Sequence, residues 1–306
     1  MSEFYKKRIY YYNNWPIVDK FEVESEYFDL VQQIKKSQRI FIPFTLLDCD
    51  EKNFNIALSF IIDALEYIET KPNHSFEFMF KSFDNISKKL YSDNKSETNN
   101  ITEVIRWLSS YLDNIFSTDH NLSKAFEKLI SIIPLKSCQY LYLKISERDS
   151  RVRARLRTNT TFNNQVIENI SMKYGSPDFS KYEASIRKPS LLYKRYLLNG
   201  KTFSIGSTSF NLNHEEVIFL LLSGYIYSLR NDSLHGSNMS ITKSSKTSLA
   251  TYANSFFAFM FLYYIVMIIF IERYYHGTTE QYSRLVENME INCRSYTKMF
   301  GKILDN

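Results

Sequence analysis

The sequence predicts an all-α protein. Its six prolines all lie at or before Pro189, its apolar residues recur every three to four positions over long stretches, and its seven glycines begin only at Gly175. Proline removes a ladder donor and clashes with the preceding turn, so residues 190–306 are free to form long helices. Phe54, Ala57, Leu58, Ile61, Ile62, Leu65 and Ile68 define one helix by their period. Asn73 is expected to cap a second helix reaching about Leu90, and residues 92–100 read as a polar loop. Helical patterns follow over about 101–116 and 122–133, the latter stopped by Pro134, and another helix starts near Leu135. Residues 199–211 alternate weakly and read as a short hairpin or loop insertion. Asn213 and Glu216 have the spacing of a capping box, opening a helix that continues through Val217, Leu220, Leu221 and Tyr225 to about Arg230. Residues 1–45 are expected to be an N-terminal extension to a helical domain over 46–306.

Residues 251–271 carry no charge, a length that can span a bilayer. Asn254 and Ser255 lie inside the stretch and no second such segment exists, so a helix buried on all sides is the expectation, with a membrane anchor over 251–271 as the alternative. A last amphipathic helix runs from about Thr279 to Leu304.

Composition narrows the function classes. Hydrophobic residues make up 44% and charged residues 23%, which is enough apolar surface for a real core and unlike disordered chains. The glycine distribution excludes a phosphate-cradling loop near the N-terminus, and Gly200-Lys201-Thr202 lacks the glycine a P-loop needs because Arg195 stands there. A net charge of +5 favours polyanions only mildly. Cys49, Cys138 and Cys293 are odd in number and far apart, which suggests neither a disulfide framework nor a zinc cluster and fits a reducing cytoplasm. No apolar stretch follows the charged N-terminus, which argues against a signal peptide.

One constellation carries chemistry: Arg230-Asn231-Asp232-Ser233-Leu234-His235-Gly236. Five residues of unbroken helix rotate about 140° beyond a full turn, so Arg230 and His235 converge only if the helix breaks between them. Asn231, Asp232, Ser233 and Gly236 are turn and cap formers, so the helix is expected to end near Arg230. Together the two residues suit RNA cleavage by the substrate's own 2′-hydroxyl. A histidine is the side-chain type that moves protons near neutrality, a role for His235, and an arginine supplies a cation for the charge that grows on phosphorus, a role for Arg230. No metal or cofactor is called for, and DNA lacks the nucleophile. A base and an acid are both needed while one chain offers one well-placed His, so a two-fold dimer would supply the second.

Tyr-Ser-Leu-Arg-Asn-Asp-Ser-Leu-His-Gly, after one long apolar helix and shortly before another, resembles the Rx4–6H motif of HEPN-domain ribonucleases, with Asn231 as in its commonest form. Ala64-Leu65-Glu66 is similar to the Ala-Leu-Glu in the first helix of Apea-like HEPN domains, and Arg151-Val152-Arg153-Ala154 to their Arg-Val-Ala-type helix. The resemblance covers about residues 50–275. It implies an HEPN-type helical bundle that dimerises, with Arg and His of both chains lining one cleft and Asn231 shaping the turn. It also implies an upstream carboxylate, Glu66 or Asp63, supporting the Arg. The implied activity is that of a metal-independent endoribonuclease in toxin, stress or antiphage defence, held in check by an antitoxin or regulatory partner. The alternative is a non-catalytic HEPN protein that binds RNA or a protein partner and uses the motif as a structural turn.

Arg148, Arg151, Arg153, Arg155 and Arg157 crowd into ten residues. They are expected on a helix, either as an RNA-backbone contact led by Arg151, Arg153 and Arg155 or as a solvated face. His214-Glu215 opens like a zincin helix, but Ile218 replaces the second histidine. His74, His120 and His276 sit at loops or helix boundaries. Tyr10, Tyr11, Tyr12 and Trp15 could stack on bases, with docking onto the core the simpler use.

Overall fold

A computed structural model describes residues 3–14, 16, 20–147, 150–156, 173–174, 182–196, 202–205, 208–234 and 247–305. The helices in chain order are α1 (Glu3–Asn13), α2 (Glu22–Lys35), α3 (Lys52–Tyr67), α4 (Pro72–Asn94), α5 (Ile101–Thr118), α6 (His120–Ser131) and α7 (Leu135–Ser146). They continue with α8 (Arg151–Leu156), α9 (Tyr182–Tyr196) and α10 (His214–Phe219). A π-helical turn (Leu220–Ile226) leads from α10 without interruption into α11 (Tyr227–Leu234). Then come α12 (Leu249–Tyr274), α13 (Thr279–Phe300) and a 3-10 turn (Gly301–Ile303). The all-α class holds, and the expected hairpin is present as one antiparallel pair, β1 (Phe203–Ile205) with β2 (Thr208–Phe210), in which Ser204 faces Ser209.

Helix α12 is the axis of the core. Every residue from Tyr252 to Ile271 is buried, because α4 runs along one side and α2, α7 and α13 close the others. It is the one helix among the described residues long and apolar enough to cross a membrane, and its apolar stretch is wholly covered by protein. Its Asn254, Ser255, Tyr263 and Tyr264 side chains are hydrogen-bonded inside the fold. Asn254 Oδ1 accepts from Ser137 Oγ of α7 at 2.8 Å and from the Tyr225 hydroxyl at 2.9 Å. A buried amide left unpaired would cost about 1–3 kcal/mol, so these partners are what let Asn254 sit there.

The region expected as an N-terminal extension docks into this core from Phe21 onward. Tyr27, Val31 and Ile34 of α2 are buried at helical spacing, and the Tyr27 hydroxyl donates to Ile68 O at 2.6 Å. Residues 41–51 have no regular structure, so their backbone needs side-chain partners. Ile42 N donates to Asn292 Oδ1 at 2.8 Å, and Ile42 O accepts from Asn288 Nδ2 at 2.9 Å and Asn292 Nδ2 at 2.8 Å. Phe44 N donates to the Tyr263 hydroxyl at 2.6 Å. Of the N-terminal aromatics, Tyr11 packs edge-on against Phe21 with ring centres 5.0 Å apart, Tyr10 and Tyr12 are exposed, and Trp15 lies outside the described residues.

Three expected boundaries move. Lys71, not Asn73, is the N-cap of α4, because Pro72 is preset for the first helical position. That helix runs on to Asn94, so the polar loop shortens, and Asn100 caps α5 by accepting from Thr102 N at 3.2 Å. The helix expected to end near Arg230 continues to Leu234.

Candidate active site at the Arg230 helix

Asn213 Oδ1 accepts from Glu216 N at 2.8 Å, and Glu216 Oε2 accepts from Asn213 N at 3.1 Å, so the capping box forms as its spacing requires. His214, one residue on, stacks edge-on near Phe116 with ring centres 5.4 Å apart and lies 3.5 Å from Glu127 and 3.9 Å from Asp113. It anchors the helix start to α5 and α6.

The helix then widens. Tyr227 N–H reaches back five residues to Leu222 O, the hydrogen bond of a π turn. Gly224 sits where α7 and α8 come closest: a Cβ there would stand 2.9 Å from Leu141 Cδ1 and 3.5 Å from Leu156 Cδ1. A larger residue would require the Leu141 side chain to move aside.

Helix α11 therefore leaves the π turn in a trough between α4 and the α7–α8 pair, and its polar residues are shared between the two walls. Toward α4, the Arg230 guanidinium lies over the Phe80 ring at 5.5 Å, and Ser233 Oγ donates to Glu77 Oε1. Toward α7, Asp232 Oδ2 accepts from the Tyr140 hydroxyl at 2.9 Å and pairs with Lys144 Nζ at 3.1 Å. Burial alone would lower the Lys144 ammonium, but the Asp232 and Glu147 carboxylates override it and raise it above its ordinary value. Burial, followed by the Asp232 charge, pushes the Tyr140 phenol well up. The Glu77 carboxyl is held below the usual range, first by its bond with His74, against an opposing burial effect, and then by Ser233.

Arg230 is half-buried and aimed by its neighbour, donating from Nη1 to Asn231 Oδ1 at 2.9 Å. Among the described residues no carboxylate lies within ion-pair reach of it. The adjacent acid, Asp232, is instead committed to the other wall.

The remaining sequence candidates separate. His235 and Gly236 lie outside the described residues, as do Arg148 and Arg157. The structure brings neither Asp63 nor Glu66 into a hydrogen bond or ion pair with Arg230 among the described residues; Glu66 is exposed on α3. The carboxylate that meets the motif is Glu77, which sequence reasoning missed. Its signal is that it precedes Phe80 by three residues on α4 and so shares the face that meets α11.

The arginine segment is helical as expected, but its side chains have different tasks. Arg151 is exposed. Arg153 donates from Nε at 3.0 Å and Nη2 at 2.8 Å to Ile145 O in the last turn of α7. Arg155 turns inward, donating from Nη2 to Ser223 O at 3.1 Å and Ser228 Oγ at 2.9 Å, with its guanidinium 4.8 Å from the Tyr227 ring centre.

Among the described residues no group of three or more His, Cys, Asp or Glu side chains is placed to hold a metal ion. The Cys138 and Cys293 thiols are buried, and burial pushes both up to about 12, which makes them poor nucleophiles. No protein-family model matches the sequence, and no curated protein or solved structure is significantly similar to it.

Proposed function

We propose that the chain is a metal-independent endoribonuclease of the HEPN type, acting on cytoplasmic RNA at a site built from Arg230 and His235 of two protomers. The observation that carries this reading is the state of Arg230. It is half-buried, aimed by Asn231, seated on Phe80 and left without a carboxylate partner among the described residues, whereas the acid beside it is fully engaged. An arginine so placed is available to an anionic ligand.

In the reaction, the 2′-oxygen of a ribose attacks the adjacent phosphorus while one His235 takes its proton. The P–O5′ bond breaks, and the His235 of the second protomer gives a proton to the leaving oxygen. The products are a 2′,3′-cyclic phosphate and a 5′-hydroxyl. Arg230 stabilises the negative charge on the non-bridging oxygens, and Asn231 holds it in line. The break expected between Arg230 and His235 does not fall within Arg230–Leu234, where α11 is continuous.

The test is incubation of purified protein with total RNA in EDTA, wild type beside His235→Ala and Arg230→Lys. His235→Ala is expected to lose about 10²–10⁴-fold in rate. Arg230→Lys is expected to fail as well, because the ammonium lacks the planar fork that can hold two phosphate oxygens. Cleavage by His235→Ala at the wild-type rate would put the non-catalytic alternative in its place.

A further inference from the structure

The hydrogen-bond ladder of the helix that carries Arg230 changes step at the π turn. Up to Tyr227 it reaches back five residues, as the Tyr227 N–H to Leu222 O bond shows, and from α11 onward it reaches back four. A ladder that passes from a five-residue to a four-residue step skips one carbonyl, and on this count it is that of Ser223. A buried carbonyl without a donor is costly. Ser223 is 1% exposed, and Arg155 Nη2 donates to its oxygen at 3.1 Å. The same nitrogen donates at 2.9 Å to Ser228 Oγ, on the far side of the step, and the guanidinium carbon lies 4.8 Å from the ring centre of Tyr227, which comes between the two serines in the chain.

A π turn accommodates one extra residue, so it sets the rotation of everything after it. If the turn reverted to regular α-helix with α10 still anchored by its capping box and His214, α11 would rotate by about 100°. Leu229 would take the place over Phe80 that Arg230 now has. Asp232 would leave Lys144 and Tyr140, and Ser233 would leave Glu77. We infer that Arg155 is a positioning residue: by bridging Ser223 and Ser228 across the π turn, it fixes the rotation of α11 and so the direction of Arg230. That Arg230 then acts on RNA rests on the function proposed above; the bridge itself does not. Arg155 therefore belongs to the scaffold behind the site and is not a contact for the RNA backbone.

Ser223 also supplies the means of testing this. It is the residue the ladder skips, and its own hydroxyl has no hydrogen-bond partner among the described residues. Deleting it removes the extra residue, converts the π turn to plain helix and leaves the downstream face in its present rotation without Arg155. Four proteins are compared by amide hydrogen exchange over residues 220–234 and by steady-state RNA cleavage: wild type, Arg155→Ala, Arg155→Lys, and Arg155→Ala combined with deletion of Ser223. Arg155→Ala is expected to raise exchange in 223–234 by about ten- to a hundredfold while α13 stays protected. It should also lower kcat by about tenfold or more with KM within about twofold. Arg155→Lys keeps a charge that RNA would read but loses the two-ended reach, so it should behave like Arg155→Ala. Deletion of Ser223 should restore both protection and kcat.

Unchanged exchange in 223–234 overturns the inference. A raised KM with kcat intact also overturns it, because that pattern belongs to a substrate contact. Should Arg155→Ala unfold globally, the deletion decides: a combined variant no better protected than the single one overturns the inference. If the wild type cleaves no RNA, the ribonuclease reading falls, and the exchange arm still decides whether Arg155 holds the turn.

Discussion

Replacing Arg153 with alanine should cost stability and leave RNA binding alone, and replacing Arg151 should do the reverse. Ile145 O is among the last four carbonyls of α7, which have no donor within their own helix. Arg153 supplies one from two nitrogens, at 3.0 and 2.8 Å. Hydrogen bonds to charged groups contribute about 1.5–3 kcal/mol, and partial exposure of Arg153 places it near the lower figure, about 1.5–2 kcal/mol. For a chain this long, about 2 °C of Tm per kcal/mol gives a drop of about 3–4 °C. Arg151 is exposed, so Arg151→Ala should melt with the wild type. If the surface meets RNA, that variant should flatten the plot of log affinity against log salt by about 0.7 for a single-stranded ligand. The assays are a thermal melt and a binding titration at several salt concentrations on the same three proteins. An Arg153→Ala protein with wild-type Tm and a reduced salt slope would refute the assignment of Arg153 to the end of α7.

Asn292→Ala removes the partner of Ile42 N and one donor each from Ile42 O and the Tyr264 hydroxyl, so a loss of about 2–3 kcal/mol is expected in urea unfolding. A midpoint unchanged from wild type would show that residues 41–51 are held without it. The carboxyl of Glu77 lies below its ordinary value in the folded chain, so the stability it contributes is complete above the unfolded-state value. That contribution is lost as pH falls through the folded one. Glu77→Gln should therefore narrow the stability difference between neutral pH and the acid side of the carboxylate range, seen in urea midpoints across that window; an unchanged difference would count against the His74 and Ser233 bonds.

What could be read from the sequence was what depends on period and on charge. The absence of charge over 251–271, together with Asn254 inside it, pointed to a core helix, and the structure gives Asn254 its partners on α7 and in the π turn. The capping box at Asn213 was legible because both of its residues are local. The end of the Arg230 helix was not. Asn231, Asp232 and Ser233 have the propensity to stop a helix, but their side chains bond to Arg230, Lys144 and Glu77 rather than to their own backbone. Those partners lie far along the chain, except for Arg230. The π turn was also hidden, since the residues packed against it, Leu141 and Leu156 beside Gly224, lie far away in the chain. Neighbours in space likewise separated Arg151 from Arg153 and Arg155, which the sequence grouped as one basic surface. Helix α2 was legible and overlooked: Tyr27, Val31 and Ile34 carry the spacing.

The position of α12 in the chain sets a schedule for synthesis. A nascent chain that has reached residue 248 already contains α2, α4 and α7, but not the helix their apolar faces enclose. Phe80, the seat of Arg230, belongs to α4, and α4 has nothing to close against along its α12 side until those last apolar residues leave the ribosome. An arginine whose seat depends on a late core takes its final direction only once that core has closed, so the face it lies on is among the last parts of the chain to be fixed.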